Sequence, residues 1–127
     1  MQQIKSESAE QIALFRWADF MQNKYPGLDM MFHIPNGGKR SKTEAIRFKH
    51  EGVKAGVPDI FLPAPKQNFH GMFIEMKVGK NKTTENQKEW IKKLQQNDYY
   101  VVVCYDWEDA YKKIENYMKG NIKNECY

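Results

Sequence analysis

The sequence predicts an α/β fold in which a mixed β-sheet is flanked by helices. Three observations predict it. Apolar residues at helical spacing alternate along the chain with short runs rich in β-branched and aromatic residues. Two of these runs, Asp59–Leu62 and Met72–Val78, are joined by the turn-rich stretch P-A-P-K-Q-N-F-H-G, which predicts an antiparallel hairpin. A third run, Tyr99–Tyr105, follows a helical stretch, and a strand–helix–strand unit implies a parallel pair with a right-handed crossover.

The elements follow in order. Residues 6–23 read as an amphipathic helix capped by Ser6 or Ser8, with Leu14, Trp17, Ala18 and Met21 on one face. Extending that stripe backwards meets Glu10 and then Glu7. Carboxylates in a first helical turn favour the helix dipole, and at the end of an apolar stripe they need a partner. Pro26-Gly27 breaks the chain before a short strand, Met30–Ile34, in which His33 reads as structural. The cationic loop P-N-G-G-K-R-S-K follows. Ser41 or Thr43 then caps a helix to about Glu51, with Ala45, Ile46 and Phe48 available for packing and Gly52 as its stop. After the hairpin, Thr84 opens a helix with the stripe Gln87, Trp90, Ile91, Leu94. Tyr99–Tyr105 has the apolar character of a central strand. Asp106 caps a last helix with Trp107, Ala110, Tyr111, Ile114 and Met118 inward. The order is α-β-α-β-β-α-β-α. Residues 1–120 are expected to form a single domain and 121–127 a loose tail.

Composition narrows the function. The chain of 127 residues carries 41% hydrophobic residues, enough for a core without staples. Cys104 and Cys126 show neither disulfide nor metal spacing, which favours a reduced cytoplasmic protein. No signal peptide or membrane span is visible. The net charge of +4 discriminates little by itself. The placement of the cations says more. Lys39, Arg40, Lys42, Arg47, Lys49 and Lys54 crowd one segment, and Lys77, Lys80 and Lys82 another. Both clusters flank the hairpin, which points to a polyanionic substrate.

The hairpin itself carries the chemistry. If it is symmetrical its centre is at residue 67, and Asp59 lies near Glu75 across the pair. Alternation puts Glu75 and Lys77 on one face and Ile74 and Met76 on the other. Two facing carboxylates repel, and a divalent cation resolves that repulsion. Carboxylate oxygens, a backbone carbonyl and water suit Mg²⁺ or Mn²⁺, and Lys77 would serve the attacking water and the developing phosphorane charge. An acid followed two residues later by a lysine also decorates ordinary solvated strands. Here Asp59 opens one apolar strand, Glu75 interrupts the next, and basic loops flank both. Gln87 has two readings. Thr84-x-x-Gln87 is a capping box, and Gln87 also begins the inward stripe.

These residues carry a resemblance. P-D at 58–59 with E-M-K at 75–77 looks like the PD-(D/E)xK nuclease core. The fuller set is a helical Glu10, I-P-N-G-G-K-R-S at 34–41, G-V-K-A-G-V-P-D at 52–59, G-M-F-I-E-M-K at 71–77 and T-E-N-Q at 84–87. It resembles the virus-type replication-repair nuclease (VRR-NUC) family, especially its compact stand-alone phage-associated members, over nearly the whole chain. The resemblance implies a restriction-endonuclease-like fold and a metal-dependent DNA endonuclease of a bacterial cell. It implies metal binding by Asp59, Glu75 and the backbone carbonyl of Met76, catalysis by Lys77, and further roles for Gln87 and for Glu10, directly or through water. It also implies a homodimer and branched or four-way-junction DNA as substrate, in replication, repair or recombination. Asn36, Lys39, Arg40, Lys42, Lys54, Lys80 and Lys82 are the expected DNA contacts. Such contacts position without reading sequence, so structure preference is expected. The competing readings are a non-catalytic nucleic-acid-binding module and a scaffold subunit of a repair complex. Carboxylates facing phosphate count against both.

Overall fold

The computed structural model describes residues 6–35 and 41–122. The elements are α1 (Glu7–Met21), a 3₁₀ turn (Leu28–Met30), β1 (Phe32–His33), α2 (Lys42–His50), β2 (Ile60–Leu62), β3 (Met72–Met76), α3 (Glu85–Gln96), β4 (Tyr100–Cys104) and α4 (Trp107–Met118). This is the expected alternation: a mixed four-stranded sheet flanked by four helices.

The sheet order is β1-β2-β3-β4, antiparallel except for the parallel β3–β4 pair. In the hairpin Ile60 faces Ile74 and Leu62 faces Met72, so the pairing is symmetrical about residue 67. Its tip is a tight Lys66–Phe69 bridge in which Gln67 takes a φ of +51°. The Gln67 amide holds the backbone of Ile122 through two hydrogen bonds, at 3.1 and 3.3 Å, which ties the chain beyond α4 to the hairpin.

One sheet face makes the core. Ile60, Leu62, Met72, Ile74, Met76, Tyr100, Val102 and Cys104 pack against Leu14 and Ala18 of α1 and Ala110, Ile114 and Met118 of α4. Tyr117, left out of the expected inward set although it follows Ile114 by three residues, is fully buried there, its hydroxyl donating to Ala64 O at 2.6 Å. A phenol satisfied this way can sit in a core like a hydrocarbon. Burial pushes the Cys104 thiol up to about 12, so it is inert filling.

Helix starts follow the caps. Ser6, Ser41, Thr84 and Asp106 each accept from a backbone N–H three residues on. Gly52, at φ +97°, ends α2 as expected.

Three expectations are corrected. The strand expected at Met30–Ile34 shrinks to Phe32–His33, because Leu28–Met30 closes a 3₁₀ turn. β4 is not central. It ends the sheet, and its apolar character comes from burial on both faces, with α4 against one and α3 against the other. Finally, α2 buries none of its residues, and Ile46 stays exposed. Its short apolar set finds no strand to cover, since it lies outside the core cluster.

Candidate active site

The opposite sheet face carries the odd-numbered residues of β2 and β3 and their extensions: Phe61 and Asp59, then Phe73, Glu75 and Lys77. Continuing the hairpin register one residue past Ile60–Ile74 sets Asp59 opposite Glu75, the juxtaposition that alternation predicts.

Asp59 is pinned twice. Its Oδ2 accepts from Met76 N–H at 2.9 Å. Its carbonyl accepts from Ile34 N–H at 2.6 Å and from His33 Nδ1–H at 2.9 Å. The N–H and C=O of one strand residue leave on the same flank, so the Met76 carbonyl is turned toward the Asp59 side too. The next residue points the other way, and Lys77 N–H donates to Cys104 O of β4 at 2.8 Å.

Glu75 is 2% exposed and Lys77 8% exposed. The Lys77 ammonium is 3.8 Å from Glu75 Oε1, and Gln87 Nε2 donates to that same oxygen at 3.0 Å. Among the described residues, Glu75 Oε2 is buried without a hydrogen-bond partner. Burial first, and the Asp59 charge second, push the Glu75 carboxyl up to about 8, against the pull of Lys77. A protonated Glu75 can hydrogen-bond Asp59; with both acids ionised, Oε2 is orphaned. An orphaned buried carboxylate oxygen beside a second carboxylate is a donor set for a hard divalent cation. Among the described residues no three His, Cys, Asp or Glu side chains cluster for a metal. A cation at Asp59 and Glu75 would therefore draw its other ligands from the backbone and water.

Gln87 resolves its two readings by doing both. Its Oε1 accepts from Thr84 N–H at 2.8 Å, and its backbone N–H donates to Thr84 Oγ1 at 3.2 Å, which completes the capping box. With the carbonyl end held at the helix start, the amide nitrogen is aimed at Glu75. The first turn of α3 is held close by Gly56. This glycine has φ +93°, and a Cβ there would lie 2.8 Å from the backbone carbon of Asn86. The G-V-P-D segment therefore closes on α3 only because residue 56 has no side chain.

The two acids of α1 separate. Glu10 Oε1 accepts from Trp107 N–H at 3.3 Å, at the start of α4. Glu7 is the α1 acid whose charge adds to the upward push on Glu75. Glu7 and Glu10 lie three residues apart, so the helical stripe runs through both. The packing of α1 against α4, which helical spacing does not reveal, brings Glu10 to the start of α4.

The expected DNA contacts are partly outside the described residues, as Asn36, Lys39 and Arg40 are. Lys42 begins α2, Lys54 lies in the loop before β2, and Lys80 and Lys82 lie in the loop after β3. All four are exposed. No helix among the described residues is long and apolar enough to cross a membrane.

Comparison with known proteins agrees with this fold. The sequence model of the VRR-NUC domain matches residues 4–107. A solved structure described as a VRR_NUC domain protein superposes with a TM-score of 0.78 at 30% sequence identity, covering 93% of this chain and 92% of that one. No curated protein matches the chain.

Proposed function

Because the chain belongs to the VRR-NUC domain family, with its nuclease-type fold, we propose that it is a metal-dependent endonuclease that hydrolyses DNA phosphodiester bonds. The observation that carries the reading is buried Glu75, with its orphaned Oε2, facing half-buried Asp59, with Met76 and Lys77 following Glu75 directly. Asp59, Glu75 and the Met76 carbonyl would hold Mg²⁺ or Mn²⁺. Bound there, the cation would polarise the phosphate and acidify a water.

The chain's own residues supply the rest. Lys77 orients the attacking water and offsets charge on the phosphate as the P–O bond to the leaving group breaks. Its ammonium is held near Glu75 by attraction and by the anchored backbone of β3. Gln87 fixes the Glu75 rotamer, so that Oε2 rather than Oε1 is left for the cation. Of the two α1 acids, Glu7 takes the supporting role given to Glu10 by resemblance, because Glu10 is engaged at Trp107 and the charge of Glu7 reaches Glu75. Lys42, Lys54, Lys80 and Lys82, with Asn36, Lys39 and Arg40, contact phosphates. A homodimer acting on branched or junction DNA completes the proposal.

The test is cleavage of linear, flapped, forked and four-way DNA by purified protein with Mg²⁺ or Mn²⁺. Cleavage is expected, and Lys77→Ala and Asp59→Asn are expected to abolish it while circular dichroism stays unchanged. Full activity in either variant would sink the assignment. DNA binding without cleavage, indifferent to metal and to Asp59→Asn, would mean a binding module instead.

A further inference from the structure

A cavity of about 410 Å³ is walled by segments that lead into the candidate site. Ile34 and Pro35, just past β1, form one wall; Val53, Lys54 and Val57, in the loop before β2, form a second; Trp90 of α3 forms the third. Each wall is tied to the candidate site. Ile34 N–H donates to Asp59 O. Val57 is two residues before Asp59. Trp90 is three residues after Gln87 on one helix, so the two side chains share a face.

The walls are mostly apolar, and the two charged residues beside them, Lys54 and the Glu51 carboxylate that pairs with Arg47 at 3.5 Å, are both exposed. Ile34, Val53, Val57 and Trp90 are half-buried and apolar, whereas Lys54 is exposed. The size is at the small end of ligand cavities, roughly 300–1,000 Å³. A phosphate or a hydrated sugar gains nothing from such walls. A flat heterocycle gains both apolar burial and stacking on the indole. A phosphodiester held at Asp59 and Glu75 carries such heterocycles on its flanking sugars. In a duplex these bases are stacked and show only their edges, so one that enters a cavity must be unpaired.

We propose that this cavity receives an unpaired nucleobase next to the scissile phosphate, stacked on Trp90, with Lys54 at its phosphate. The proposal rests on the nuclease reading and deepens it: selection for branched or interrupted DNA comes from a base pocket rather than from phosphate contacts alone.

The test is a binding comparison on metal-free Asp59→Asn protein, which avoids cleavage. Three oligonucleotide duplexes are used: one with a single unpaired 2-aminopurine, one with an abasic site at that position, and one fully paired. The unpaired-base duplex is expected to bind at least tenfold more tightly than the abasic one, with a change in 2-aminopurine fluorescence. Adding Trp90→Leu is expected to erase that preference, and Trp90→Phe to keep most of it. If Trp90→Leu does not fold, Val53→Phe, which fills the cavity from the opposite wall, serves instead. Equal affinity for base and abasic site, or a preference that survives Trp90→Leu, would overturn the proposal. So would a Trp90→Leu variant that changes only the oligomeric state in sedimentation, since the cavity would then seat a second copy. Failure of the wild-type protein to cut any DNA would sink the nuclease reading and leave this comparison standing. Base-independent binding by an active nuclease would sink the cavity alone.

Discussion

Replacing Glu75 with glutamine should stabilise the metal-free protein while removing its activity. The side chain is buried at 2% exposure beside Asp59, and the two together push its carboxyl from 4.5 to about 8. Native Glu75 therefore holds a proton that the unfolded chain has released between those values. The sign follows: the unfolded state binds fewer protons in this window, so wild-type stability falls as pH rises from about 4.5 to 8. Glutamine has no proton to lose and escapes that fall. Near pH 5 the two proteins should match, because a neutral acid and an amide make similar contacts. By pH 8 the variant should lead by on the order of 2–3 kcal/mol; the full linkage value, which already contains the attraction to Lys77, is discounted because a buried carboxylate forced to ionise draws in water and relaxes its surroundings. Its amide could also donate to Asp59 where Oε2 now has no partner. The assay is urea unfolding with a chelator present at pH 5 and pH 8. A glutamine variant that is less stable at pH 8 would refute the reasoning. That result is what a purely structural buried Glu75–Lys77 ion pair predicts, where removing one partner costs about 3–5 kcal/mol.

The remaining predictions concern the same cluster. Mn²⁺ should raise the melting temperature more at pH 8 than at pH 6, because it displaces the Glu75 proton, and Asp59→Asn should remove the shift; differential scanning calorimetry reads both. Gln87→Ala should lower cleavage at least tenfold, about the worth of one charge-assisted hydrogen bond, while Thr84→Ala should have a smaller effect that Thr84→Ser restores. Single-turnover rates would separate these, and an unchanged rate in Gln87→Ala would make the residue a cap only. Gly56→Ala should destabilise the fold by about 1–3 kcal/mol in urea titration, because its Cβ meets the backbone of Asn86 at a φ of +93°.

The hairpin was legible because both its signals are local. Strand alternation has a period of two, and a symmetrical turn sets the register, so Asp59 and Glu75 could be paired by counting. The capping box was legible for the same reason, since Thr84 and Gln87 are three residues apart. What the residues left open was whether Gln87 caps its helix or serves the site. An amide has two ends, and only the packing of α3 shows that the nitrogen reaches Glu75. The strand at Met30–Ile34 was overlong because an apolar run does not distinguish a 3₁₀ turn from a strand. Tyr117 lies on the α4 stripe, three residues after Ile114 and seven after Ala110, but only the tertiary structure supplies the partner that lets its hydroxyl be buried, a carbonyl 53 residues away.

The sequence by itself determined the alternation of elements, the pairing that faces two carboxylates, and the lysine on their side, because each follows from spacing within one or two strands. The tertiary structure alone decided that Glu10 meets the start of α4, that among the described residues Glu75 Oε2 is left without a hydrogen-bond partner, and that β4 lies at the end of the sheet. These depend on how α1, α3 and α4 are packed against the sheet. Helical periodicity says which residues share a face, and long-range packing says what that face meets.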